Sequence, residues 1–119
     1  MFIAVYEFEI RDGKEQPFRE SWLAVTQAIY RHCGSHGSRL HTSDRPNILI
    51  GYAQWPNRAQ WEQDKSLEDP AYLQARQNMR ECLISSRTVY ELEVCDDYLQ
   101  TDLAPICVPA QGMVASKGI

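Results

Sequence analysis

The chain has 119 residues, 44% of them hydrophobic, and its 16 acidic against 12 basic side chains leave a net charge of -4. That length and apolar content predict one domain with its own core, while the mildly acidic balance argues against nucleic acid and against anionic membrane surfaces, both of which want a basic stripe. No apolar run has transmembrane length, and the opening "MFIAVYEFEIRDG" lacks the basic start and cleavage site of a signal peptide, so a cytoplasmic protein is expected.

From Phe2 to Ile10 the residues Phe2, Ala4, Tyr6, Phe8 and Ile10 alternate with Ile3, Val5, Glu7 and Glu9, the period of two that marks a strand. Both faces begin apolar, which predicts a central position. After Asp12-Gly13, Pro17 suits a first helical turn, and Phe18, Trp22, Val25 and Ile29 recur at helical spacing as one buried stripe. The helix is expected to end at Arg31 or His32, where Gly34 supplies a left-handed cap and two basic side chains suit the negative end of the dipole. Gly37 to Thr42 reads as a second strand with Leu40 inward, Ser43 to Asn47 as a hairpin turn, and Ile48 to Trp55 as a third strand. Pro56 stops that strand, and Asn57 caps a short helix carrying Trp61. Asp69-Pro70 opens a further helix whose apolar side is Tyr72, Ala75, Met79, Cys82 and Leu83. Arg87 to Cys95 alternates again as a fourth strand, and beyond it the Pro-containing segment "LAPICVPAQGMVASKGI" has no regular pattern.

Strand, helix, strand, strand, helix, strand is the order of a ferredoxin-like βαββαβ unit, an α+β fold with one four-stranded antiparallel sheet. Residues 1-98 form that domain, and 99-119 are a tail that could pack on a partner subunit. Two helices cover only one face of such a sheet, yet the first and third strands are apolar on both faces. A second copy of the sheet is the simplest cover, which predicts a homodimer.

All three histidines and one cysteine fall in "RHCGSHGSRLH". A structural zinc site wants two close ligand pairs, and only Cys33 and His36 are paired; Cys82, Cys95 and Cys107 stand alone. The run also straddles a helix-to-strand joint, where His32, His36 and His41 need not converge. No metal is expected, and the cysteines read as free thiols in a reducing compartment.

The runs "HCGSHGSRLH" and "NILIGYAQWPNRAQWEQ", with a later helix ending near position 84, together resemble the antibiotic biosynthesis monooxygenase domain family over about residues 2 to 95. The resemblance implies a dimeric α/β barrel of two ferredoxin-like units, with no metal and no organic cofactor. It implies a small aromatic partner: a deprotonated polyphenol or anthrone that reacts directly with oxygen while the protein holds its anion. The family's strand-three tryptophan matches Trp55, and its anion-stabilising arginine matches Arg76. Its asparagine four residues before that tryptophan is Gly51 here, and its tyrosine six residues after is Trp61. The haem-degrading branch fits less well, since its tryptophan aligns near Asp64 and its iron-ligating histidine near Arg76.

On the third strand Leu49, Gly51, Ala53 and Trp55 share one face, and two small residues beside an indole predict a pocket there. Arg76 falls beside the stripe of Tyr72, Met79 and Leu83 on the later helix. Trp55, Trp61 and Arg76 are therefore the candidate catalytic residues, with Leu49, Gly51, Ala53, Tyr72 and Met79 as candidate binding residues. Bland readings stand beside these. Trp22 and Trp61 could be core anchors, and Arg76 could pair with Glu91, Glu93 or a carboxylate of a partner subunit. His41 could face solvent or act as a base, and Tyr6, Tyr52, Tyr72 and Tyr90 are unranked as proton donors. The activity implied is a cofactor-independent monooxygenase acting on an aromatic or quinol-type metabolite. The alternatives are a non-oxidative isomerase of the same superfamily and a non-catalytic dimeric binding module.

Overall fold

Period-two alternation becomes a sheet with one dry face. A computed structural model describes residues 1–100. Its elements are β1 (Phe2–Ile10), α1 (Glu15–Cys33), β2 (Gly37–Thr42), β3 (Ile48–Trp55), α2 (Arg58–Glu62), α3 (Pro70–Glu81) and β4 (Leu83–Glu93). The four strands form one antiparallel sheet in the order β2-β3-β1-β4, the ferredoxin-like arrangement expected from the element order. The expected tail lies, from residue 101 onward, outside the described residues.

Register decides which side chains meet. Phe2, Ala4, Tyr6 and Phe8 of β1 stand opposite Trp55, Ala53, Gly51 and Leu49 of β3, so the two inward sets share the face that the helices cover. Phe18, Val25 and Ala28 of α1 and Tyr72 and Ala75 of α3 are buried over that face. One cluster joins Phe18 to Phe8, Ile10, Leu49 and Cys82, and a second joins Phe2 and Ala4 to Ala53 and Trp55.

The opposite face carries Ile3 and Val5, Ile48, Ile50 and Tyr52, and Tyr90 and Leu92, with no helix of the described residues over it. Tyr90 is 60% and Leu92 43% exposed. At its centre Glu7 receives Arg45 at 2.9 Å and Arg87 at 3.4 Å.

Helix α1 starts at Glu15, which puts Pro17 in its first turn as expected, but several other boundaries differ from the sequence reading. Helix α1 runs on to Cys33, past Arg31 and His32, and α3 stops at Glu81, short of position 84. Strand β4 starts at Leu83 instead of Arg87, because the end of β1 needs a partner: Ile10 pairs with Leu83, and the Arg11 amide donates to the Cys82 carbonyl at 2.8 Å. It also ends at Glu93, short of Cys95. Two register shifts, between Val5 and Tyr6 and between Glu9 and Ile10, leave Val89 and Ile84 without direct partners. Such bulges interrupt the simple alternation that a sequence pattern follows.

Candidate functional site

Between the inward face of the sheet and the helices lies a cavity of about 490 Å³. Gly51, Ala53 and Trp55 of β3 contribute to its wall, with Met79 of α3, as their shared face predicts. Tyr6 and Phe8 of β1, Trp22, Val25 and Ile29 of α1, and Lys65 from the stretch between α2 and α3 complete its apolar part. The sequence reading singled out neither Phe8 nor Lys65 for the site, and left Tyr6 as one tyrosine among four.

Trp55 is 2% exposed, and its indole Nε1 is buried with no hydrogen-bond partner among the described residues. The Lys65 ammonium stands 4.8 Å from the centre of the same ring. A lysine there gains cation–π attraction that strengthens as water is removed. Its Nζ donates to the backbone carbonyls of Trp61 and Gln63, and no carboxylate pairs with it among the described residues. Burial pulls the ammonium below its ordinary pKa, opposed by Cys33 and Asp64 nearby. The Cys33 thiol is pushed up by burial, with Lys65 opposing.

Tyr6 hydroxyl accepts a hydrogen bond from Trp61 Nε1 at 2.8 Å. Burial drives the phenol upward in pKa; the bond from Trp61 works against that, and Glu91 adds to it. The group is therefore a protonated donor at neutral pH.

The remaining predicted residues sit around this cavity without lining it. Trp61 packs its ring 4.9 Å from that of Phe2 and braces Tyr6 from behind. Tyr72 is buried between α1 and α3, and its hydroxyl donates to the Lys65 carbonyl at 3.4 Å, steadying the backbone that carries the ammonium. Leu49 lines a neighbouring cavity of about 450 Å³ that shares Trp22 and Ser38 with the first. Arg76 is half-buried and follows the buried Ala75 by one residue, about 100° further round the helix, which turns it off the cavity. It contributes, after hydrogen bonds from Ser66, to holding the Asp64 carboxyl below its usual range. Glu91 pairs with Arg58, whose guanidinium also lies 4.8 Å over the Phe2 ring.

Among the described residues no three His, Cys, Asp or Glu side chains gather into a metal-binding group. His41 is exposed on β2, its Nδ1 3.2 Å from the Ile50 carbonyl oxygen. No helix among the described residues is long and apolar enough to cross a membrane.

No protein-family model matches the chain, and no curated protein matches its sequence. Solved structures do share its fold. SnoaB, a cofactor-independent oxygenase from Streptomyces nogalater, superposes with a TM-score of 0.64 at 16% identity, covering 83% of this chain and 97% of that one. Rv0793 from Mycobacterium tuberculosis gives 0.61 at 18% identity over 81% of this chain and 96% of its own. A Bordetella bronchiseptica protein, provisionally named an antibiotic biosynthesis monooxygenase, gives 0.65 at 19% identity over 79% and 97%.

Proposed function

We propose that the chain is a small oxygenase working without metal or organic cofactor on an aromatic, quinol-type metabolite, bound against Trp55 in the cavity beneath α1. The observation that carries this reading is the pairing, on one wall, of a buried indole with a lysine that has no carboxylate partner among the described residues. The cavity volume of about 490 Å³ falls within the range that encloses small ligands, roughly 300–1,000 Å³. Aromatic and aliphatic walls accept a flat ring, and oxygen needs only apolar space. The fold shared with SnoaB supports the same class of chemistry.

The reaction follows from the ionised ring. A benzylic CH₂ of an anthrone-like substrate loses a proton to solvent, and the carbanion adds to O₂; the peroxide anion so formed takes up a proton to become a hydroperoxide. Loss of water then leaves a carbonyl, so CH₂ plus O₂ becomes C=O plus H₂O. Lys65 stabilises the anion, and Tyr6, kept protonated by burial, is placed to donate toward the departing oxygen. Metal-free protein should consume oxygen with anthrones or hydroquinones in an oxygen-electrode assay, and Trp55→Ala should lower the rate at least tenfold. No uptake with any such compound, or an unchanged rate in the variant, rejects the oxygenase reading.

The sheet face that no described helix covers supports a homodimer, packed sheet to sheet as a barrel, in the cytoplasm where Cys33, Cys82 and Cys95 stay free thiols. Such an interface needs about 2,000 Å² in total. Native mass spectrometry should show twice the chain mass. Tyr90→Glu, placing a charge on that face, should weaken the dimer by about 2 kcal/mol, roughly thirtyfold; a monomeric wild type refutes the pairing.

A further inference from the structure

We infer that Lys65 is a nucleophilic amine that captures an aromatic aldehyde or ketone bound in the cavity as a Schiff base. The inference goes beyond the oxygenase reading: it needs the cavity but asks nothing of oxygen. Lys65 is half-buried and is the one amine in the cavity wall among the described residues, where it stands with Phe8, Val25, Ile29 and Trp55. A buried lysine held permanently charged needs a carboxylate beside it, and no carboxylate lines the cavity among the described residues. Burial is the strongest influence on the nitrogen and favours its uncharged form; Cys33 and Asp64, the titratable groups beside it, oppose that. Asp64 is exposed and bonded to Ser66, so its pull is screened by solvent. The Trp55 ring, 4.8 Å away, attracts the ammonium, so the resting nitrogen is protonated and its neutral form is the reacting species.

The hydrogen bonds suit that species. An ammonium has three N–H donors, whereas a neutral amine has two and a lone pair. Lys65 Nζ has two acceptors, the carbonyls of Trp61 and Gln63, which satisfy the neutral amine completely and leave its lone pair unengaged. Trp61 also ties this nucleophile to an acid: its carbonyl accepts from Lys65, and its indole Nε1 donates to the Tyr6 hydroxyl at 2.8 Å. Tyr6 lines the same cavity and, with its pKa raised by burial, keeps a proton to give. In the reaction Nζ adds to the carbonyl carbon, and one proton passes from nitrogen to the former carbonyl oxygen. That hydroxyl leaves as water with a proton from Tyr6, which recovers one from the nitrogen as the C=N bond closes. NH₂ plus C=O thus becomes C=N plus H₂O, with no oxidant or reductant. Once protonated, the imine draws electrons from the neighbouring carbon, so a C–H there ionises more readily without metal or organic cofactor.

Naphthaldehyde is the probe. Wild-type protein equilibrated with it at neutral pH under nitrogen, then pulsed with borohydride and mapped by peptide mass spectrometry, should carry the reduced adduct mainly at Lys65. The yield there should exceed that at exposed Lys14 about tenfold, because the cavity concentrates and orients the aldehyde. Raising the pH toward the ordinary lysine range should narrow the ratio, since Lys14 then loses its proton too. Excess methylnaphthalene, of similar size but without a carbonyl, should protect Lys65 and leave labelling of Lys14 unchanged. Lys65→Arg, which keeps a donor for the two carbonyls but cannot form the imine, should lose the adduct, with circular dichroism confirming its fold. Labelling of Lys65 no greater than that of Lys14, or labelling that methylnaphthalene does not reduce, overturns the proposal and leaves Lys65 as a brace on the end of α2. A Lys65 adduct without oxygen uptake on any anthrone or hydroquinone keeps the Schiff base and removes only the oxygenase reading.

Discussion

Phe18→Ala should destabilise the domain by about 3–5 kcal/mol, the range for deleting a fully buried aromatic ring. Phe18 is 0% exposed, and its ring lies 5.1 Å from that of Phe8, centroid to centroid. Ile10, Leu49 and Cys82 belong to the same cluster, so the ring ties α1 to the two central strands and to the C-terminal cap of α3. Truncation removes both the transfer free energy and the filling of a space that strands on one side and a helix on the other cannot collapse into. Urea unfolding followed by far-ultraviolet circular dichroism would show the midpoint fall with little change in slope. A loss under about 1 kcal/mol would mean that this cluster is not the centre of the core. Phe18→Leu, which keeps most of the volume, should lose far less.

Gly51→Val should cost about 3 kcal/mol, at the upper end of what overpacking a tight core produces. A side chain at this position would begin 2.8 Å from Phe8 Cε2 and 3.4 Å from both Phe8 Cζ and Tyr6 Cδ2. Phe8 is itself buried, with Phe18 behind it, so its ring can give way only toward the cavity it lines. Gly51→Ala should lose about 1 kcal/mol for the same reason, with less bulk. The decisive measurement is the double variant Gly51→Val with Phe8→Leu: shortening the ring should recover at least half of the loss, a coupling expected only of residues in contact. Additive losses would place the strain elsewhere. The site gains a specific meaning from this contact. Where the resembling family has an asparagine amide, this chain has fitted the edge of Phe8 against bare backbone, so the polar group cannot be restored without repacking the core.

Much of this was readable in advance wherever a period ran undisturbed. The alternation of β3 placed Leu49, Gly51, Ala53 and Trp55 on one side, and the structure has all four buried there. Gly34 ends α1 with a φ of 76°, the left-handed cap expected of it. The failures have a common cause. Strand β4 carries two bulges, so its parity breaks, and its first two residues, Leu83 and Ile84, read as the end of the preceding helix. Lys65 lies in an irregular stretch between α2 and α3, where no periodicity indicates which way a side chain turns. Its direction is set by the bonds of its ammonium to the Trp61 and Gln63 carbonyls and by the Tyr72 hydroxyl on its own carbonyl. Arg76 stands beside the buried stripe as its spacing from Tyr72 implies, half-buried next to Ala75, because a four-residue step overshoots a full turn by about 40°. The pairing of Tyr6 with Trp61 links residues 55 apart in the chain, a relation that local pattern cannot carry.

The strand order β2-β3-β1-β4 has a consequence for the history of each molecule. Strand β1 is made first but finds one neighbour in β3 and the other only in β4, with Phe2 aligned to Glu93. On the ribosome, at about 5–20 residues per second, its sticky segment must wait several seconds for the last piece of its sheet to emerge. During that interval a nascent chain with an apolar, half-paired strand is a target for chaperones and for entanglement with its neighbours. Loop-closure entropy slows the step further, since the closing contact spans nearly the whole domain. Growth temperature and translation speed should therefore govern the yield of properly assembled protein more than the final stability does.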